Sequence, residues 1–164
     1  MCNKVVKKFN IYGDFIKIQK FGSGHINDTY LASFNQAGIT VRYVIRKINN
    51  YVFKNPEFVV NNTINTIKHI TKKIKHNNDN DNSNKVLTIL KAKTGKFYHI
   101  DEQGDYWCAF LFIENAYTVD FVDRIEQAYE AAKKFGRFIN YLIDDDINKY
   151  KLTISDFHNP YKRL

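Results

Sequence analysis

A glycine-rich tip between two strand-like segments is the feature that most restricts this chain. Phe15-Ile16-Lys17-Ile18-Gln19 and Tyr30-Leu31-Ala32-Ser33-Phe34 flank the loop Phe21-Gly22-Ser23-Gly24-His25-Ile26-Asn27-Asp28-Thr29. Strand, small-residue tip and return strand predict a β-hairpin. A tip without bulky side chains lets the backbone approach a ligand closely and lets N–H groups point at an anion such as a phosphate. Gly-Ser-Gly is also ordinary hairpin chemistry, so the loop alone leaves both readings open.

The hairpin sits in a chain that alternates compact elements. Residues 4–12 carry Val5, Val6, Phe9 and Ile11, a lead-in segment expected to pack against the first strand. After a turn at Asn35-Gln36-Ala37-Gly38, the β-branched run from Ile39 to Ile48 predicts a third strand. A helix then starts at Asn55-Pro56-Glu57, with a favoured cap residue, a proline suited to the first turn and an acid at the positive end of the dipole. Val60, Ile64, Ile67, Ile70 and Ile74 recur at helical spacing, and Lys68, Lys72, Lys73 and Lys75 gather toward the C-terminal end. The polar run from His76 to Asn84 reads as a surface loop, and it lacks the glycine and terminal glutamate of an EF-hand calcium loop.

Val86 to Leu90 predicts a fourth strand, with Phe97-Tyr98-His99-Ile100 pairing back after a turn at Lys93-Thr94-Gly95-Lys96. Tyr106 to Ile113 is the most apolar stretch and is expected to be covered on both faces. Glu114 to Thr118 breaks the pattern. A long helix is predicted over about 121–143, with Phe121, Val122, Ile125, Phe135, Phe138, Ile139 and Leu142 on one broad face. Gly136 costs that helix about 1 kcal/mol relative to alanine, which suggests a close crossing. Asp144-Asp145-Asp146 oppose the dipole at its C-terminus and read as a solvated terminating loop.

Length and composition set the outer bounds. At 164 residues the chain fits one domain or slightly more, and 13 Phe with 11 Tyr supply a real core. The net charge of +8 comes from scattered lysines whose neighbouring aromatics serve core faces, which argues against a nucleic-acid interface. Cys2 and Cys108 have neither metal-ligand nor disulfide-framework spacing, a pattern suited to the reducing cytoplasm. The N-terminus has no apolar signal core, and no apolar run reaches membrane-spanning length.

The order of elements narrows the function. The glycines join two strands rather than a strand and a helix, unlike dinucleotide-binding units, and GxxxxGK[ST] is absent. Strand, glycine loop, strand, strand, helix, then further strands and a break suits the small lobe of a protein-kinase-like phosphotransferase. Specific strings carry a resemblance in the same direction: Phe21-Gly22-Ser23-Gly24-His25-Ile26-Asn27-Asp28-Thr29-Tyr30, Tyr43-Val44-Ile45-Arg46-Lys47-Ile48-Asn49, and Val52-Phe53-Lys54-Asn55-Pro56-Glu57. With Phe135-Gly136-Arg137-Phe138 and Ser155-Asp156-Phe157-His158-Asn159, they resemble the N-terminal part of bacterial N-acetylhexosamine kinases, of the aminoglycoside-phosphotransferase and choline-kinase-like group.

That resemblance implies an α+β fold: a five-stranded antiparallel sheet with one packed helix over residues 1–113, a hinge at 114–119, and the first long helix of a helical lobe over 120–164. It implies ATP with Mg²⁺, held by Gly22, Ser23, Gly24 and His25 over the phosphates and by Glu114 and Ala116 at the adenine edge. The third-strand base is Lys47 if the small-x-Lys pattern of kinases is followed, with Arg46 as its rival. The helix carboxylate that pairs with such a base has no clear counterpart: Asn61 fills its position, and Glu57 lies one turn earlier. His99-Ile100-Asp101 has the His-x-Asp form but lacks the downstream Asn, and it precedes the hinge. The catalytic Asp and the metal-binding carboxylates are thus expected outside this chain, which reads as an N-terminal portion of a sugar kinase, catalytically incomplete alone. The apolar face of the 121–143 helix is then expected to stay exposed and to favour self-association.

Overall fold

The computed structural model describes residues 2–76, 86–116, 119–157 and 159–162. Its centre is an α+β assembly built on a five-stranded antiparallel sheet. The strands are β1 (Asp14–Lys20), β2 (Asp28–Gln36), β3 (Ile39–Ile48), β4 (His99–Ile100) and β5 (Tyr106–Leu111), in the order β1-β2-β3-β5-β4. The helices are α1 (Cys2–Val6), α2 (Pro56–His76) and α3 (Ile125–Leu142). The Asn/Asp-rich run from Asn77 to Asn84, read as a polar loop, lies outside the described residues, as does His158.

The first three strands form as their alternation predicts. β2 and β3 meet through Ala37 and Gly38, both at positive φ (51° and 86°), and the Asn35 side chain accepts the Gly38 N–H at 2.9 Å. Two left-handed residues give the tight hairpin turn whose twist matches the flanking strands. The register pairs Tyr30 with Ile45 and Leu31 with Val44, then β3 pairs Ile45 with Ala109 and Val44 with Phe110.

Residues opposite one another in an antiparallel ladder share a face, so the sheet has two distinct sides. On one side Ala32, Phe34, Tyr43, Ile45, Trp107 and Ala109 pack with Val5, Val6 and Phe9 from the N-terminal segment. On the other, Ile48, Cys108 and Phe110 pack with Val60 and Ile64 of α2. β5 contributes to both clusters, so its expected two-sided burial is found.

Three expectations are corrected. Residues 86–90 do not form a strand: Ile89 makes a single bridge to Phe110, flanked by Leu90 N–H to Ala109 O (2.8 Å) and Leu111 N–H to Thr88 O (2.9 Å). The outer edge of β5 is instead shared between this short piece and β4, because residues 91–93 turn away to the N-terminal segment. There Phe9 bridges Ala92, Asn10 N–H donates to Lys91 O (2.9 Å), and Lys93 N–H donates to Lys8 O (2.8 Å). Second, α3 starts at Ile125, with Arg124 extended (φ −134°, ψ 140°), so Phe121 and Val122 precede the helix. Third, Gly136 marks no close crossing, since no atom lies within 4 Å of where a Cβ would sit.

None of the residues of α3 is buried. Phe121 and Ile125 are 85% and 84% exposed, and Phe135 and Ile139 are also open, so the apolar face is uncovered among the described residues.

Candidate functional site

The glycine loop is fastened at its base and on one flank, and its tip leaves backbone N–H groups unengaged among the described residues. Phe21 N–H donates to Thr29 O at 2.9 Å, closing the base. Asn49, just after β3, holds the second half of the loop. Its backbone N–H donates to Asn27 Oδ1 (3.0 Å) and its side-chain amide donates to Ile26 O (2.9 Å). The same Asn49 Oδ1 accepts the N–H groups of Tyr51 and Val52 at 2.9 and 3.2 Å, which starts the turn into α2. Asn49 therefore couples the loop to the turn that follows β3 and leads toward α2, a role that spacing alone did not disclose. Gly22 has φ +83° and needs its glycine, whereas Gly24 has ordinary backbone and open space around it. Among the described residues no acceptor engages the backbone N–H groups of Ser23, Gly24 or His25. His25 is exposed within the loop.

The tip approaches the end of β5 and the segment before α3. The Phe21 ring stands edge-on to Phe112 at 5.6 Å between centroids, and the Arg42 guanidinium lies 4.4 Å from the same ring. Arg42 also pairs with Glu114 through both nitrogens, with Nε to Oε1 at 2.9 Å. This hydrogen-bonded pair holds the Glu114 carboxyl below its usual range and raises the Arg42 pKa. Ser23 donates its hydroxyl to Asp120 at 3.3 Å. Ala116 is exposed beside Asn115, whose φ is 57°. Tyr117 and Thr118 of the expected hinge lie outside the described residues.

The two third-strand cations occupy opposite faces. Lys47 lies on the side of Ile45 and Trp107, away from α2, where its ammonium pairs with Asp105 at 2.5 Å and sits 5.9 Å from the Trp107 ring. The hydrogen bond to Asp105 raises the Lys47 pKa, and Asp101 and Asp28 add to it. Arg46 lies on the α2 side, exposed, with its guanidinium 5.7 Å from the Phe110 ring. Among the described residues no carboxylate pairs with Arg46. Leu31, Val44 and Phe112 share its side of the sheet by register. Glu57 reaches neither cation: it adds to the raised pKa of Lys96 and is not among the carboxylates acting on Lys47. Asn61 is exposed.

His99-Ile100-Asp101 runs from β4 into a structural turn. Asp101 accepts Trp107 Nε1–H at 2.8 Å and the N–H groups of Gln103 and Asp105, both at 3.0 Å. Despite its burial, these bonds lower its pKa, and every oxygen is spent on its own turn.

In the acidic run 144–146, Asp144 and Asp146 are exposed as a solvated loop requires, whereas Asp145 departs from that expectation. Asp145 has a side chain only 4% exposed; it accepts the Tyr150 hydroxyl at 2.5 Å and lies 3.2 Å from His69 Nδ1. Asp144 pairs with Lys73 at 2.5 Å. Nearby, Asn62 exchanges two hydrogen bonds with the Lys151 backbone (2.7 and 3.0 Å), and Asn65 donates to Lys149 O at 3.0 Å. Asn62, Asn65, Thr66, His69 and Lys73 thus form a polar stripe along α2 that straps down residues 140–151. Its helical spacing was present in the sequence beside the apolar stripe.

No protein-family model matches this chain. Among the described residues, no group of three His, Cys, Asp or Glu side chains is arranged to hold a metal, and no helix is long and apolar enough to cross a membrane. Among the described residues, the site offers a glycine loop with unengaged backbone N–H groups, a guanidinium with no carboxylate partner, and an apolar strip of Val44 and Phe112 beside the buried Leu31.

Proposed function

We propose that the chain binds ATP, with Mg²⁺ carried on its phosphates, on the α2 side of the sheet beneath the glycine tip. In this reading it is the nucleotide-holding part of a small-molecule phosphotransferase, with an N-acetylhexosamine as the acceptor class suggested by the sequence resemblance. The observation that supports it most is the pairing of the tip's unengaged backbone N–H groups, at Ser23, Gly24 and His25, with an Arg46 that has no carboxylate partner among the described residues and lies on the same side as α2. Backbone N–H groups and a guanidinium are the two donors that phosphates take best. Arg46, rather than Lys47, is the phosphate contact in this proposal, because Asp105 already neutralises Lys47 on the far face. Leu31, Val44 and Phe112 would take the adenine, and the backbone near Glu114 and Ala116 its polar edge.

The chain's own part is to bind and orient the nucleotide. Neither Asp101 nor the Asp144-Asp145 pair is free to serve as a catalytic base, since both are bound within turns and straps. Phosphoryl transfer in this reading draws its carboxylates from outside these residues.

Calorimetric titration of ATP with Mg²⁺ tests the proposal. Arg46→Gln should weaken binding about tenfold, the worth of one charge-assisted hydrogen bond, while Lys47→Gln leaves it unchanged. Loss in Lys47→Gln alone would move the phosphate to the other face. No binding by the parent protein would sink the nucleotide reading.

A further inference from the structure

A cavity of about 650 Å³ opens on the face of the sheet away from α2, between α1 and the turn after β4. Its size falls in the range of small-molecule sites. Lys4, Lys7, Lys8, Lys93 and His99 line it. These groups come from three separate parts of the sequence. The Lys93 N–H to Lys8 O hydrogen bond (2.8 Å) and the Phe9–Ala92 bridge fix the first two parts together. β4 supplies His99, half-buried and opposite Trp107 in the ladder.

Two acids also line the cavity, Asp101 and Glu102. Asp101 is committed to Trp107 and to the backbone of its own turn, and Glu102 is exposed. Four lysines against two acids leave an excess of positive charge, and Val5 and Ile100 add apolar wall. We propose that this cavity is a second binding site, for a small phosphorylated molecule whose phosphate is held by Lys7, Lys8 and Lys93. Burial and, after it, the neighbouring Lys8 push His99 below its ordinary pKa, against an upward pull from Asp101. The site is independent of the nucleotide proposal, which concerns the opposite face.

His99 is a built-in reporter. Its imidazole proton resonance, assigned by its loss in His99→Gln, can be followed during titration of the full chain with inorganic pyrophosphate, with a hexose monophosphate, and with sulfate at matched ionic strength. The expected result is a saturable upward shift of the His99 pKa with a phosphorylated probe and little response to sulfate. Tighter binding of the hexose monophosphate would identify an ester ligand, and tighter binding of pyrophosphate a polyphosphate. Lys7→Gln with Lys8→Gln should weaken the response about tenfold or more. Lys93→Gln, in an exposed turn, gives the same reading should the paired change disturb α1. No shift, an equal shift with sulfate, or a response that survives both sets of lysine changes would overturn the proposal.

Discussion

The sheet and the 125–151 segment are held in place by different forces. Ile45, Trp107 and Ala109 are at most 1% exposed, and the sheet is covered on one side by the N-terminal segment and on the other by α2. α3 has no buried residue, and the segment around its end is attached to α2 through Asn62, Asn65, His69 and Lys73. Apolar burial is non-directional and indifferent to protonation, whereas a polar strap depends on geometry and charge. The two regions should therefore fail separately and under different conditions.

The largest expected effect tests the sheet. Ile45→Ala leaves a void at the junction of β2, β3 and β5, and should cost about 2–5 kcal/mol of global stability in denaturant unfolding. A loss well under 1 kcal/mol would mean that the site collapses and that the sheet is less tightly packed than its burial implies.

Next is the strap. Asn62→Ala removes both hydrogen bonds to Lys151 and should speed hydrogen exchange in residues 140–151, by a local cost of about 1 kcal/mol, without changing protection in β2 and β3. Acid should do the same. Lys73 holds the Asp144 carboxyl below its ordinary range, and Tyr150 with Lys149 does so for Asp145. A carboxyl with a depressed folded pKa stabilises above its unfolded pKa and loses that contribution as pH falls through the folded value. The strap should accordingly loosen below about pH 4, while the sheet, which also loses the contribution of Asp101 there, keeps its apolar burial and its exchange protection. Simultaneous loss of protection in both regions would show that they form one cooperative unit.

The smallest effect separates fold from binding within the sheet region itself. Gly24→Ala should change stability by less than about 0.5 kcal/mol, because the added methyl meets open space and the backbone is ordinary. Gly22→Ala, at φ +83°, should cost about 1 kcal/mol. If the tip covers phosphates, Gly24→Ala nevertheless weakens ATP binding; unchanged affinity would mean that the tip serves only as a turn.

Much of the architecture was legible in the sequence. β3 runs from Ile39 to Ile48 as its β-branched content indicates, and α2 begins at Pro56. The 86–90 segment was not legible, because its apolar run says nothing of the competing backbone pairing that draws residues 91–93 to Lys8 and Asn10. Asp145 was misread for a related reason: its partner His69 lies far away in the sequence.

The site divides along the same line. By itself the sequence determined that two glycines cap a hairpin, that Arg46 and Lys47 must face opposite ways, and that a helix follows them. Alternation has a period of two, so it fixes which residues share a face and leaves open which face is covered by what. Only the tertiary structure decided that α2 lies on the Arg46 side, that Asp105 takes Lys47, and that Asn49 ties the glycine loop to the turn after β3. Those outcomes depend on how distant segments compete for the two sides of one sheet.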